Sequence, residues 1–291
     1  MIALLWTSAA AAQDLGHKVL GSLGLLAGSQ PASGIYVVNR LISYGANDLI
    51  DRNGNRIPVE LDLDALANGT GIQATFRLSG NSIYWNASLG VPAARVHLDT
   101  DRPEASVDRF GFGDLYVQPV KIGWKTARAD IVSGYAFYAP TGRFTPRGSG
   151  GIGRGQWSHE FSLGSAIYLD KARTWHLSGL ASYELNQRKH GIDITRGDTI
   201  QFQGGAGKTV RTFDLGLAIY ALRQVRADRG ADVPGPLRGA RDRVFGLGPE
   251  IDYKFAPLRS RLTVRYCRDI SVKSRPLGRV LVFGITVLAL R

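Results

Sequence analysis

The sequence has little sulfur: one cysteine, Cys267, and one methionine, Met1, in 291 residues. A single cysteine excludes an internal disulfide framework and any cysteine-cluster metal site. Such poverty suits a chain exported through an oxidising periplasm. Long apolar runs are missing too. No stretch reaches the ~20 consecutive apolar residues of a membrane helix, so a helical anchor is not expected. Negative charge is in short supply, with 24 acidic residues against 36 basic ones and a net charge of +12. That excess invites a nucleic-acid reading, yet there is no basic helix, no interleaved aromatic platform and no zinc-finger spacing, so nucleic acid is not an expected partner. The arginines gather instead in glycine- and proline-rich stretches: Arg143, Arg147 and Arg154 in one, Arg226, Arg229, Arg238, Arg241 and Arg243 in another. Basic loops of this kind match the anionic headgroups of outer-membrane lipid and lipopolysaccharide. Cofactor motifs are also lacking. Gly148 to Gly155 is glycine-rich, but it has no Gly-Lys-Ser/Thr and precedes a strand pattern, so it is a flexible loop and no cofactor is expected.

What the chain has is glycine, 36 residues of 291, well above the usual ~7 per cent. Ile2 to Ala12 is apolar or small, and Ala10-Ala11-Ala12 before Gln13 fits a small-residue cleavage site. Residues 1–12 therefore read as a signal-peptide segment that lacks its charged front. Residues 13–32 read as a periplasmic N-terminal segment, and 33–291 as the folded domain.

From Ser33 onward the period is two, the mark of a strand whose faces meet different environments. In Gln156 to Leu169, Trp157, His159, Phe161, Leu163, Ile167 and Leu169 oppose Gln156, Ser158, Glu160, Ser162, Gly164 and Ala166. In Val244 to Phe255, Phe245, Leu247, Ile251, Tyr253 and Phe255 oppose Gly246, Gly248, Glu250, Asp252 and Lys254. Segments 174–185 and 213–221 repeat the pattern. Weaker ones at 33–45, 71–79, 83–98, 113–124, 128–139, 198–209, 260–271 and 278–290 bring the count to twelve.

The breaks alternate. Short ones lie at 80–82, 125–127, 170–173, 210–212 and 256–259; long ones at 46–70, 99–112, 140–155, 186–197, 222–243 and 272–277. Outer-membrane barrels join strands by tight periplasmic turns and longer extracellular loops. The expected fold is thus all-β, a closed antiparallel up-and-down transmembrane β-barrel of about twelve strands in the outer membrane of a Gram-negative bacterium, both termini periplasmic. Closure is required because an open edge in hydrocarbon leaves every outward amide unpaired. Such barrels are delivered by barrel-insertion machinery; here the chain ends Ala289-Leu290-Arg291, without a terminal aromatic residue. Trp124, Trp157, Trp175, Tyr183 and Tyr253 sit near strand ends, as interfacial girdles require.

Four stretches resemble one family: Gly113-Asp114-Leu115-Tyr116-Val117-Gln118-Pro119, Tyr138-Ala139-Pro140-Thr141-Gly142-Arg143, Trp157-Ser158-His159-Glu160-Phe161-Ser162, and Val244-Phe245-Gly246-Leu247-Gly248-Pro249-Glu250. In this order they resemble the MetA-pathway of phenol degradation family. The resemblance implies an outer-membrane barrel that takes up small hydrophobic or aromatic compounds, and it implies no catalytic residues.

By phase, Arg77, Glu160, His176, Glu184, Asp214, Tyr220, Glu250, Asp252, Lys254 and Arg265 face inward. A charge facing lipid at mid-membrane costs ~2–4 kcal/mol, so mid-strand charges point to the lumen. There they either line a pore or form an inert salt-bridged plug. Lipid hydrolysis would need a serine within reach of a histidine; His176 with Ser162 is the one pair on the inner face that phase allows. A structural or adhesive barrel working through its basic loops is a further alternative. Asp48, Asp51, Asn53, Asn55 and Glu60 hint at a calcium turn, against which Arg52 and Arg56 count; an ordinary polar turn is the simpler reading, and no metal is assigned. Cys267 reads as a small pore-side residue rather than a reactive thiol.

Overall fold

The computed structural model describes residues 16–291 apart from Asn81, Pro103, residues 147–149 and the side chain of Ser79. The signal-peptide-like stretch 1–12 lies outside the described residues. Thirteen strands follow in order: β1 Gly34–Ile50, β2 Leu61–Ser79, β3 Ile83–Asp101, β4 Glu104–Phe112, β5 Leu115–Lys125, β6 Ala129–Ala139, β7 Ser158–Tyr168, β8 Trp175–Asn186, β9 Thr199–Val210, β10 Phe213–Gln224, β11 Arg243–Phe255, β12 Ser260–Lys273 and β13 Arg275–Leu290. β4 and β5 both pair with β3 and form one stave interrupted at Gly113–Asp114. The barrel therefore has twelve staves, each antiparallel to its neighbours. It closes where β1 meets β13, from Ile35↔Leu290 to Ile50↔Arg275. That seam removes the unpaired edge that hydrocarbon would not tolerate.

The outer face carries the lipid belt. Ile131, Leu163, Leu177, Phe202, Leu217, Ile251, Val264 and Phe283 all stand exposed on successive staves. Aromatics ring both ends. Trp124 and Trp175 are exposed at the periplasmic end, where Phe213, Tyr253 and Phe255 also pack with tilted rings. Toward the extracellular end Tyr135 packs on Phe161, and Phe137 on Trp157. Among the described residues no helix is long and apolar enough to cross a membrane. The chain is an outer-membrane barrel of Gram-negative type.

Two expected loops are largely strand. β1, β2 and β3 run 17, 19 and 19 residues, against 11 for β6 and β7. Stretches 61–70 and 104–112 belong to this projection, a wing beyond the membrane on one side of the barrel. Its alternation is easily overlooked because its polarity inverts. Within the membrane the outward residues of β2 and β3 are apolar: Ile72, Phe76, Leu89 and Val91. Above it Asp62, Asp64, Arg95, His97 and Asp99 point outward, while Leu61, Leu63, Val96 and Leu98 point inward, in register across the two strands. Water outside and a sheltered interior explain the flip, since each face must match the medium it meets. At the other extreme, the expected loop 272–277 shrinks to Ser274, held at φ 53 between β12 and β13.

Candidate functional site

The lumen contains chain. Gly16 to Ala32, part of the stretch 13–32 expected to lie in the periplasm, instead runs through the barrel toward the start of β1. The segment has only isolated turns of its own, such as Ala27 N–H to the Gly24 carbonyl at 2.9 Å. Its remaining backbone polar groups must be satisfied by the wall, because burying them unpaired costs free energy. The Leu23 amide donates to Gln203 Oε1 (3.0 Å), the Leu25 amide to Glu250 Oε2 (2.9 Å) and the Gly28 amide to Ser178 Oγ (2.9 Å). Arg265 Nη1 and Lys125 Nζ donate to the carbonyls of Gly21 (2.7 Å) and Pro31 (3.3 Å). At the extracellular end His17 Nε2 lies 2.8 Å from Asp114, with its ring stacked on Tyr138 at 4.5 Å. Lys18 pairs with Glu160 at 2.5 Å.

Close approach makes this seat possible. A Cβ on Gly28 would lie 2.1 Å from the Ser165 carbonyl oxygen, and one on Gly24 would lie 1.8 Å from Glu250 Oε2. At Gly28 any side chain would push the segment off the backbone of the wall, and at Gly24 it would displace the ends of Glu250 and Arg265. Leu25, fully buried, drops over Gly205 and Gly216, and Leu20 joins an apolar cluster with Ala218, Tyr220, Leu222, Val244 and Cys267. Cys267 is thus a packing residue, and its burial keeps it from reagents in solution.

The inward residues read from phase fall into three groups. Glu160, Glu250 and Arg265 hold the plug; Arg265 grips Glu250 through two bonds of 2.7 and 2.8 Å. His176, Asp214, Asp252 and Lys254 lie toward the periplasmic end. There Asp214 accepts from Thr209, Lys254 and Arg261, and Asp252 from Arg261 and Thr263. Glu184 and Tyr220 lie toward the extracellular end. Glu184 pairs with Arg196 (3.4 Å), itself buried between Glu184 and Asp242, while Tyr220 donates to Asp269 at 2.7 Å. Arg77 departs from the set. It is exposed at the periplasmic rim, over the Tyr84 ring.

His176 does not reach Ser162. His176 pairs with Tyr168, six residues along β7 from Ser162, roughly 20 Å at strand spacing. The Asp51 turn is polar: its Oδ1 accepts the amides of Asn53, Gly54 and Asn55, each at 2.8 Å. Those backbone bonds, the one from Asn55 foremost, hold its carboxyl below the usual carboxylate range. Among the described residues no group of acidic, histidine or cysteine side chains is arranged to hold a metal ion. The basic loops are partly tied inward: Arg226 pairs with Asp198 (3.0 Å) and Arg229 bridges to Thr195, which fastens the β8–β9 and β10–β11 connections together.

Sequence reasoning missed the plug, and with it Arg40 and Lys121. Both face inward, and neither makes a hydrogen bond or ion pair among the described residues. No signal in residues 16–33 marks a lumen segment, apart from glycines spaced along an otherwise apolar stretch.

No curated protein matches the chain. Among solved structures it is similar to the COG4313 outer membrane channel from Pseudomonas putida F1, with a TM-score of 0.77 and 12% identity over 89% of this chain and 97% of that one. The translocator domain of the autotransporter NalP from Neisseria meningitidis follows at 0.51 and 14%, covering 88% of this chain and 89% of that one. The Bordetella autotransporter BrkA beta domain gives 0.52 and 10%, covering 89% and 100%. At these identities the likeness is one of fold. The family model described as "Putative MetA-pathway of phenol degradation" matches residues 46–283. Each of the four sequence blocks that resemble the family supplies a residue that holds the plug: Asp114, Tyr138, Glu160 and Glu250. On that match, the chain belongs to this family.

Proposed function

We propose that the chain is an outer-membrane channel for passive uptake of small hydrophobic or aromatic compounds, with residues 16–33 as a plug that restricts the path. One observation carries this reading. The wing turns an apolar inner face toward the mouth of the lumen, with Leu63, Leu98 and Val107 in register across three strands. A pore for sugars or ions has no use for such a wall, whereas a solute of low polarity is drawn out of water by it at ~25 cal/mol per Å² buried. The family name points to aromatic compounds, and the similar Pseudomonas putida protein is described as an outer membrane channel. Lipopolysaccharide is the expected neighbour of exposed extracellular arginines such as Arg102 and Arg188, and the barrel-insertion machinery delivers the folded product. The test is accumulation of a radiolabelled aromatic solute by Gram-negative cells that do or do not express the chain. Expression should raise the initial uptake rate several-fold; equal rates overturn the reading.

A further inference from the structure

The plug does not fill the lumen evenly. Its long-range hydrogen bonds and ion pairs go to β5 through β12, whereas against β1 and β2 it packs through apolar residues, Val19 beside the Ile42 cluster and Leu20 in the one that holds Ile50. A Cβ added to Gly69, which faces inward on β2, would meet no atom within 4 Å. Arg40 is the residue paired with Gly69 on β1. It lies six residues in from the start of β1, yet its surface is only partly covered. Lys121 on β5, inward beside Asn86, is likewise partly covered. Neither is near a strand end, so the space each of them faces is the lumen.

Both side chains lack a hydrogen bond or an ion pair among the described residues, and Lys121 lies within electrostatic reach of Arg40. The other charged groups that act on Arg40 are Arg265, Glu250 and Asp252. Those acids are already spent, Glu250 on Arg265 and the Leu25 amide, Asp252 on Arg261 and Thr263. Two cations facing one space with no ion-pair partner of their own repel each other, and an incoming anion relieves that repulsion. Rings of Arg and Lys are how pores choose anions.

We infer that the open side of the lumen is a binding path for small amphipathic carboxylates, with Arg40 and Lys121 taking the acid head and the apolar inner face of the wing taking the body. This rests on the uptake reading and narrows its substrate class. The apolar row of Leu63, Leu98 and Val107 lies on the extracellular side of Arg40 along the same wall. A solute would therefore meet the apolar surface first and the charges second.

Benzoate and its uncharged isostere benzamide separate this from general hydrophobic uptake. Binding to the full chain in a neutral detergent is read by saturation-transfer NMR, and entry by swelling of liposomes that contain the chain. Benzoate should bind at least roughly fivefold better than benzamide. The Arg40→Gln/Lys121→Gln double variant should lose that preference, and Arg40→Lys should keep most of it. Heat-modifiable gel mobility checks that each variant is folded. Equal binding of acid and amide, or a preference untouched by the double variant, overturns the inference. Charge-dependent binding without entry of either solute supports the site and counts against the uptake reading instead.

Discussion

The two sides of this barrel differ in what they do with polar groups. On the side of β7 to β12 the strands are short, and inward acids are matched with partners: Glu160 with Lys18, Glu184 with Arg196, Glu250 with Arg265, Asp214 with Lys254. Glycines at 164, 205 and 216 leave that wall shallow enough for the plug to lie against it, Gly164 under Gly28 and the other two under Leu25. On the side of β1 to β3 the strands are long and the inner face turns apolar above the membrane, and the inward cations Arg40, on β1, and Lys121, on the adjoining β5, stand without hydrogen-bond or ion-pair partners among the described residues. A wall that satisfies every polar group of an incoming segment is a seat. A wall that leaves charges and apolar surface bare is a passage. The difference lies in side-chain chemistry on a ladder that is continuous around the barrel.

The largest effect should come from removing the occupant of the seat. Deleting residues 16–30 leaves the strand ladder and its seam intact, and bilayer recordings should show single-channel conductance raised roughly tenfold. If conductance stays the same, the plug does not restrict the path and the two sides are functionally equivalent. Next comes a charge on each side. Glu250→Ala strands Arg265 in the interior and removes the acceptor for the Leu25 amide, at a cost of about 3–5 kcal/mol. Arg40→Gln removes a cation that has no partner, so stability should hold or rise. Urea unfolding in detergent micelles, followed by tryptophan fluorescence, compares the two, and equal losses would erase the distinction.

Most of the barrel was legible in the sequence because lipid on one side and polar lumen on the other force strict alternation. Segments such as 156–169 and 244–255 show it plainly, and β7 and β11 appear where it predicts them. The wing was harder to see because its alternation changes sense where the strands leave the membrane. Leu61-Asp62-Leu63-Asp64 alternates as well as any strand, but its apolar set is the inner one. Among the inward charges, phase placed Glu160, Glu250 and Arg265 correctly. It gave no hint that their partners lie in Gly16 to Ser33, since contacts of separation 225 or 244 leave no local pattern. The motif blocks around Asp114 and Glu250 were visible as a resemblance, while their shared task of holding the plug needed coordinates.

A smaller effect separates two glycines. Gly28→Ala drives a methyl group into the Ser165 carbonyl and should destabilise the plug by about 1–3 kcal/mol through forced displacement. Gly69→Ala meets open space and should be close to silent. Protease nicking within residues 16–33 reads the first, and its rate should rise only for Gly28→Ala. Similar behaviour of the two variants would mean that the space beside Gly69 is filled.

The smallest effect belongs to the connecting turns, and there the two sides should behave alike. Asp51 in the β1–β2 turn is held below the ordinary carboxylate range by backbone amides, the one from Asn55 first. Asp170 in the β7–β8 turn is lowered in the same way, chiefly by the Trp175 amide. A carboxylate whose folded pKa is depressed contributes stability above its unfolded value of ~3.9 and loses it as pH falls through the folded one. The amide resonances of Asn55 and Trp175 should therefore titrate with midpoints under ~3.9, and Asp51→Asn and Asp170→Asn should each abolish only their own transition. Both turns are exposed to water, so neither wall chemistry nor plug contact reaches them. A transition at one turn that shifted when the plug was deleted would show that the contrast between the walls extends beyond the lumen.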